Sequence, residues 1–226
     1  MKNIAIITAR SGSKGLKDKN IKLLNNKPLL AYSIEAAMNA NVFDEIMVST
    51  DSEEYAAISK KYGANVPFLR SACNSNDYAG SWDVVVEVLE KYRQEGKEYD
   101  TVCLLQPTSP LRTADDICNG YRSMEEKQCD SIVAVCETEH SPLWMNVLPS
   151  SMNMKNFIDA KIADKRRQEL PTYYQINGAL YIKKIVYLEK VVLQEKTEYA
   201  IIMDREKSID IDTDIDFKVA EIIIGK

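Results

Sequence analysis

Short apolar, β-branched segments alternating with segments of helical periodicity predict an α/β protein, a mostly parallel sheet covered by helices on both faces. Three observations carry this. Asn3–Thr8, Thr101–Leu105 and residues 131–136 are near-continuous apolar runs without in-and-out alternation, as strands buried on both faces require. Most of the apolar runs lead through a polar loop into a capped, helix-periodic stretch. The length of 226 residues, with 45% hydrophobic and 28% charged side chains, suits one such domain with a small appended lobe.

The elements follow in order. After Asn3–Thr8, residues 28–40 place Leu29, Leu30, Ile34, Ala37 and Met38 at helical spacing behind a proline suited to a helix start. A strand over 45–50 ends at Asp51-Ser52, which caps a helix over 53–62 closed by Gly63. A third short strand is expected at 66–69. Ser81 reads as the N-cap of a helix running to 95, with Gly96 as its stop. Thr101–Leu105 leads into Gln106-Pro107-Thr108-Ser109-Pro110, and Thr113 caps a helix to about residue 126. A fifth strand follows at 131–136. Between 137 and 175 the alternation fails: Pro142, Pro149, Pro171 and a polar turn at 150–153 interrupt it, and the excursion is too long for an ordinary connection. Regular structure resumes at 178–182 and 199–203, and a last helix is expected at 213–224.

The net charge of −5 argues against a long polyanion as partner, because holding duplex nucleic acid takes many lysines and arginines. Positive charge is nevertheless concentrated: residues 1–30 hold Lys2, Arg10, Lys14, Lys17, Lys19, Lys22 and Lys27 against Asp18 alone. The opposite imbalance lies in 204–216, where Asp204, Glu206, Asp210, Asp212, Asp214 and Asp216 face Arg205 and Lys207. No stretch has the roughly 18 consecutive apolar residues of a membrane span, and the N-terminal apolar run is too short for a signal-peptide core. Five cysteines without a C-x-x-C pair, beside the single His140, argue against a zinc site and for reduced thiols. A cytoplasmic protein with no membrane partner is expected.

Three loops are candidates for chemistry. The loop from Thr8 to Asn20 leaves the carboxyl end of the first strand, where open α/β sheets bind ligands. Its Gly12 and Gly15 permit close backbone approach, and Arg10, Lys14 and Lys19 supply charge for phosphates. It matches neither a Walker A loop nor G-x-G-x-x-G, and a solvated surface loop is the alternative. Residues 106–112 present Gln106, Thr108 and Ser109 on a backbone stiffened by two prolines, suited to reading a base or sugar, or simply to a rigid turn. In Ser208-Ile209-Asp210-Ile211-Asp212-Thr213, an extended backbone sets Asp210 and Asp212 on one face as a Mg²⁺ site and Ile209 and Ile211 on the other. Acids at a helix N-terminus are the competing reading, and the better one for Asp214 and Asp216. His140 in a proline-rich connector reads as structural or exposed rather than as a general base. Tyr173, Tyr174 and Tyr181 either line a sugar pocket or pack.

In combination these pieces resemble the CMP-N-acylneuraminate (CMP-sialic acid) synthetase family, cytidylyltransferases acting on nonulosonic acids. The resemblance rests on Ala9-Arg10-x-Gly12-Ser13-Lys14-Gly15 followed by Lys19-Asn20-Ile21, then Val48-Ser49-Thr50-Asp51, Leu104-Leu105-Gln106-Pro107-Thr108-Ser109-Pro110-Leu111-Arg112, Asn177-Gly178-Ala179-x-Tyr181 and 208–213. It spans the chain from first strand to last helix. It implies a three-layer α/β/α Rossmann-like fold of the nucleotide-diphospho-sugar transferase type, one domain over 1–226 with an inserted dimerisation lobe at 142–178. It implies CTP and a nine-carbon α-keto acid sugar as substrates, Mg²⁺ as cofactor, and a homodimer that exchanges the lobe. By the same resemblance Arg10, Lys14, Lys19 and Asp212 are catalytic. Arg10, Gly12, Ser13, Lys14, Asn20, Arg70, Gly80, Ser81, Pro107 and Thr108 bind nucleotide. Gln106, Arg167, Tyr174, Asn177 and Tyr181 bind the sugar, Arg167 reaching a neighbouring subunit's pocket, and Asp210 and Asp212 hold the metal. Two departures fall at the sugar end. Trp144 follows Ser141-Pro142-Leu143 where some members have lysine, and Gln175 stands where arginine often precedes x-Asn-Gly. Legionaminic, pseudaminic and KDN-type acids are therefore alternative acceptors. A GT-A-like glycosyltransferase and a nucleotide-binding regulator are the more distant readings.

Overall fold

A computed structural model describes the chain apart from Lys14, Asp77 and Lys226. β1 (Asn3–Thr8) opens the sheet, and its alternate side chains divide between two cores: Ala5 and Ile7 enter one, Ile4 and Ile6 the other. Each of these four residues is fully buried. Burying an isoleucine contributes about 1.5–3 kcal/mol, so a strand apolar on both faces stays only at the centre of a layered fold.

A loop with a short 3₁₀ turn at Lys19–Ile21 leads to a hairpin absent from the sequence reading, β2 (Leu23–Leu24) and β3 (Lys27–Pro28). Asn25 and Asn26 both take positive φ, the conformation a two-residue antiparallel turn requires and asparagine tolerates. α1 (Leu29–Ala40) starts directly behind Pro28. β4 (Glu45–Ser49) is followed by α2 (Glu53–Lys61), whose first turn is capped by Ser52 Oγ accepting from the Tyr55 amide at 3.4 Å.

The strand expected at 66–69 does not form. Asn65 makes one bridge to Met47, and the backbone next bonds along that edge where the Arg70 amide donates to Thr50 O at 2.8 Å. Pro67 stands between, and a residue without an N–H cannot continue a ladder.

α3 (Ser81–Gln94) begins one residue earlier than expected. Gly80 holds the N-cap position, with its amide satisfied by Asp83 Oδ2 at 3.0 Å, and Ser81 is the first helical residue. β5 (Thr101–Leu105), α4 (Ala114–Lys127, capped by Thr113) and β6 (Ser131–Glu137) agree with expectation within a residue.

From 138 to 173 the described structure contains only 3₁₀ turns at Pro142–Trp144 and Arg167–Glu169, and Met145, Val147, Met152 and Met154 are exposed along it. The chain re-enters the sheet at Tyr174, so the last residues of the expected lobe are strand. This strand, β7 (Tyr174–Tyr187), is longer than expected and antiparallel to both neighbours. β8 (Val191–Leu193), β9 (Glu198–Ile202) and α5 (Asp214–Ile224, capped by Thr213) complete the chain.

The seven-stranded sheet runs β4-β1-β5-β7-β6-β9, with β8 paired to β7, and it is mostly parallel. α1, α2 and α4 cover one face and α3 the other, giving the expected three layers. α5 packs beside them: Phe217 and Ala220 bury Leu24, Leu29 and Ile211. All five cysteines are free, and no described helix is long and apolar enough to cross a membrane.

Candidate active site

β1 pairs with β4 on one side and β5 on the other, so the chain changes direction across the sheet between β1 and β5. Loops leaving the carboxyl ends of two such strands diverge and leave a crevice. A cavity of about 450 Å³ opens there, lined by Thr8 at the end of β1, Gln106 directly after β5, and by Arg10, Ser13, Gly15, Lys19, Asn20, Arg70, Ala79, Ser81, Val84, Pro107, Thr108, Asp210 and Asp212. All three loops singled out from sequence therefore contribute to one site.

The basic loop is held at both ends. Ser11 donates its amide and hydroxyl to Asp51 at 2.8 and 3.0 Å, and buried Asn20 donates to Arg10 O at 3.0 Å. Gly15 is required where it stands, because a Cβ there would lie 2.8 Å from the Asp212 carbonyl oxygen. Gly12, at φ +71°, shapes the loop but does not line the cavity. Lys14 lies outside the described residues.

Lys19 Nζ donates to Ile211 O at 2.5 Å and to Asp212 Oδ1 at 3.0 Å. The expected phosphate contact and the expected metal ligand are thus paired with each other across the cavity wall. Arg70, nearly buried, donates from Nε to Ser49 Oγ at 3.1 Å and from Nη2 to Ser49 O at 2.5 Å. Burial pulls its guanidinium down to about 10, with Asp51 and Glu87 opposing, so it remains cationic at neutral pH.

Residues 208–212 form no ladder, and the expected alternation of faces holds. Ile209 and Ile211 pack with Leu24 and Phe217, while Asp210 and Asp212 face the cavity. The segment is tied to the β5 loop by the Ile211 amide donating to Thr108 O at 2.8 Å. Surrounding protein raises the Asp210 carboxyl above the usual range and neighbouring Asp212 adds to this, whereas a hydrogen bond from Thr108 opposes it. Two carboxylates facing one cavity are a fitting donor set for a hard divalent cation. No third acidic, histidine or cysteine ligand joins them among the described residues, which suits an ion that keeps waters and takes phosphate oxygens. Asp214 and Asp216 serve α5 instead: Asp216 Oδ2 accepts from the Thr213 amide at 2.7 Å, and Asp214 pairs with Lys22 at 3.1 Å.

Not every expected sugar contact reaches the cavity. Asn177 is buried: its Nδ2 donates to Ser208 Oγ at 2.9 Å and its Oδ1 accepts from the Ala179 amide at 3.1 Å, so it ties the strand to the acidic segment. The Tyr181 ring packs edge-on against Trp82, 5.9 Å between centroids, beneath the start of α3. Arg167 and Tyr174 line a second cavity with Glu137, Met203 and Arg205. Gly80 acts through its backbone at the α3 cap.

Gly178 sits in a bulge. The β6–β7 ladder slips between Val133↔Tyr181 and Val135↔Ile176, and Gly178 takes φ +75° within the extra length. This turns its α-carbon towards the site: a Cβ would lie 2.6 Å from Gln106 Oε1 and 3.9 Å from Asp210 Oδ2. Ala79 and Val84 line the cavity from outside the three loops, and Thr8, which only opens the first loop and was given no role, lines it as well. Thr8 is signalled as the last residue of an apolar strand before a glycine loop, and Val84 as one helical turn beyond Ser81. Ala79 has no signal of its own.

The family described as Cytidylyltransferase matches residues 4–223. The chain is 38% identical to an N-acylneuraminate cytidylyltransferase of Escherichia coli over 100% of its own length and 52% of that protein, so it spans about half of that relative. It is 35% identical to a pseudaminic acid cytidylyltransferase of Campylobacter jejuni, over 99% of the chain and 96% of the relative. Among solved structures, a CMP:2-keto-3-deoxy-manno-octonic acid synthetase complexed with CTP superposes with a TM-score of 0.71, covering 100% of this chain and 99% of that one, at 16% identity, which speaks to the fold alone. The chain belongs to the cytidylyltransferase family, and relatives it matches over nearly its whole length are named for N-acylneuraminate and for pseudaminic acid.

Proposed function

We propose that this chain transfers CMP from CTP to the anomeric hydroxyl of a nine-carbon α-keto acid sugar of the sialic acid type, releasing pyrophosphate. The carrying observation is the convergence, at the carboxyl ends of β1 and β5, of cationic Arg10, Lys19 and Arg70 with polar Gln106 and Thr108 and acidic Asp210 and Asp212. A purely basic pocket would hold any anion. This one places carboxylates beside the cations, as a nucleotide bound with a divalent ion requires.

Transfer at the α-phosphorus is an in-line displacement in which the protein positions groups and neutralises charge. Arg10 and Lys19 take the charge that grows on the departing pyrophosphate. Lys19, now shared between Ile211 O and Asp212, has donor capacity to turn to a phosphate without crossing the cavity. Buried Arg70 is a fixed cation whose direction Ser49 sets. Gln106 and Thr108 present hydrogen-bonding groups to sugar and base from a proline-stiffened loop. Asp210 and Asp212 would hold Mg²⁺, which when bound neutralises phosphate oxygens and polarises the reacting phosphoryl group.

Pseudaminic or another nonulosonic acid is the second reading for the acceptor. It is favoured by Trp144 and Gln175 at the sugar end and by the relative of nearly equal length that is named for pseudaminic acid. The proposal includes a homodimer in which the 142–178 segment completes a neighbour's site. Supporting it are the exposed apolar side chains Met145, Val147 and Met152, the exposed Ile176 and Ile202, and the placement of Arg167 in the second cavity.

The test is pyrophosphate release with CTP, Mg²⁺ and a panel of nine- and eight-carbon keto acids. Turnover with CTP and one nine-carbon acid is expected. Equal turnover with UTP or ATP, or release only with a sugar nucleotide, would overturn the proposal, and a monomeric mass by light scattering would remove its dimer clause.

A further inference from the structure

Arg112 is a buried cation that the reaction scheme above leaves unused. It is only 3% exposed, and it neither lines the cavity nor pairs with a carboxylate among the described residues. Its guanidinium binds neutral oxygens on three separate elements. Nη1 donates to Ala179 O at 2.6 Å on β7 and to Gln106 O at 3.3 Å after β5, and Nη2 donates to Ser33 Oγ at 2.5 Å on α1. Ser33 Oγ in turn lies 3.3 Å from Gln106 O, while Arg112 Nε has no partner among the described residues. Burying an arginine without a counter-ion is costly, and burial lowers its pKa to about 10, so it stays charged without being offset by a salt bridge. For helix–sheet packing alone an apolar side chain of that volume would serve better.

The bonds explain the choice. Gln106 directly follows β5 and Ala179 stands on its antiparallel neighbour β7, and between them Gln106 Oε1 comes so close to Gly178 that a Cβ there would lie 2.6 Å away. A planar fork that grips the backbone on both sides of that contact fixes its separation, which a lysine, with one point of charge, does not.

We propose that Arg112 is a positioning residue for nucleotidyl transfer, acting through Gln106: it clamps the β5 loop to the Gly178 bulge and so sets where the Gln106 amide meets the acceptor. The proposal rests on the reading of this cavity as the CTP and sugar-acid site.

The experiment is a double-mutant cycle of Arg112→Lys and Gln106→Ala in the full chain, read by steady-state kinetics, with the side-chain amide signal of Gln106 followed by NMR and assigned by its absence from Gln106→Ala. Arg112→Lys is expected to raise acceptor KM or lower kcat by roughly tenfold to a hundredfold, the scale of a misplaced contact, while CTP affinity stays within about twofold. It should add almost nothing in the Gln106→Ala background, and it should shift or broaden the Gln106 signal. Fully additive losses, an equal loss of CTP affinity, or an unmoved Gln106 signal would each overturn the proposal. If Arg112→Lys does not fold, Ser33→Ala removes one of the three anchors and must give a smaller loss of the same non-additive kind. A wild-type protein that releases no pyrophosphate would defeat the functional reading instead, and the NMR arm would still decide whether Arg112 places Gln106.

Discussion

Lys19 Nζ lies 3.0 Å from Asp212 Oδ1, joining the basic N-terminal loop to the acidic segment almost two hundred residues later. The two regions of opposite charge that stand apart in the sequence therefore meet at one wall of the cavity. Asp212 is largely exposed, so the pair is screened and is worth about 0–1 kcal/mol to folding. Its value lies in placement: the same ammonium that steadies the carboxylate faces the space assigned to the triphosphate.

Removing either partner should consequently cost activity and not the fold. Lys19→Met and Asp212→Ala are each expected to keep the thermal midpoint close to wild type while lowering kcat/KM for CTP by roughly a hundredfold or more, as loss of a group facing developing charge does. Turnover near wild type in Asp212→Ala would remove that residue from the metal assignment.

The approach of the two loops is backbone to backbone at Gly15, and this gives a steric test. An added Cβ meets the Asp212 carbonyl oxygen at 2.8 Å, which no side-chain rotation relieves. Gly15→Ala should push the segments apart and raise KM for CTP by about tenfold, by the misplacement argument, with little change in unfolding free energy. Ser13→Ala, in the same loop, serves as the control for loss of a hydroxyl alone. An unchanged KM in Gly15→Ala would mean that the loop opens freely.

Much of this arrangement was legible in the residues. β1, β5 and β6 announce themselves as near-continuous apolar runs, and Ser52 and Thr113 cap the helices they were expected to cap, whereas Thr213, expected as the first residue of the last helix, is its cap. What escaped depends on non-local pairing. The reversed direction of β7 is set by which strands flank it, and its length is hidden by the Asn177-Gly178 bulge and by Lys183 and Lys184, which break the apolar pattern. The strand expected at 66–69 had the apolar residues but also Pro67, which removes the amide the ladder needs. At the site, Asp210 and Asp212 were readable because their alternation with isoleucines dictates a face. Asn177 and Tyr181 were not, since a motif does not say whether an amide or phenol points to ligand or to core.

Glu87 offers a pH-dependent test of the loop that carries Arg70. Burial alone would raise its carboxyl, but hydrogen bonds from Lys91, Ser71 and Asn74 outweigh burial and hold it at about 2, against 4.5 ordinarily. Because the folded value is the lower one, the stabilisation is fully present above about pH 4.5 and is lost as pH falls towards 2, and at most about 3 kcal/mol is involved. Glu87→Gln should lower the urea midpoint at pH 6 and approach wild type near pH 2.5. Parallel pH profiles for the two proteins would contradict the assignment. Ser71 directly follows Arg70, so the variant should also weaken CTP binding.

The Gly178 bulge separates backbone strain from side-chain collision. Gly178→Ala forces a Cβ into a left-handed residue, at about 1 kcal/mol, and sets that Cβ 2.6 Å from Gln106 Oε1. The obstacle is the far end of a flexible side chain, so the protein should fold and Gln106 should swing aside. Acceptor KM should therefore rise by roughly tenfold while the thermal midpoint falls by a few degrees. In a Gln106→Ala background the collision is absent and only the backbone term remains, so the fall in midpoint should persist while the further rise in KM disappears. If KM still rose in that background, the bulge would be acting through Asp210, 3.9 Å from the same Cβ, rather than through Gln106.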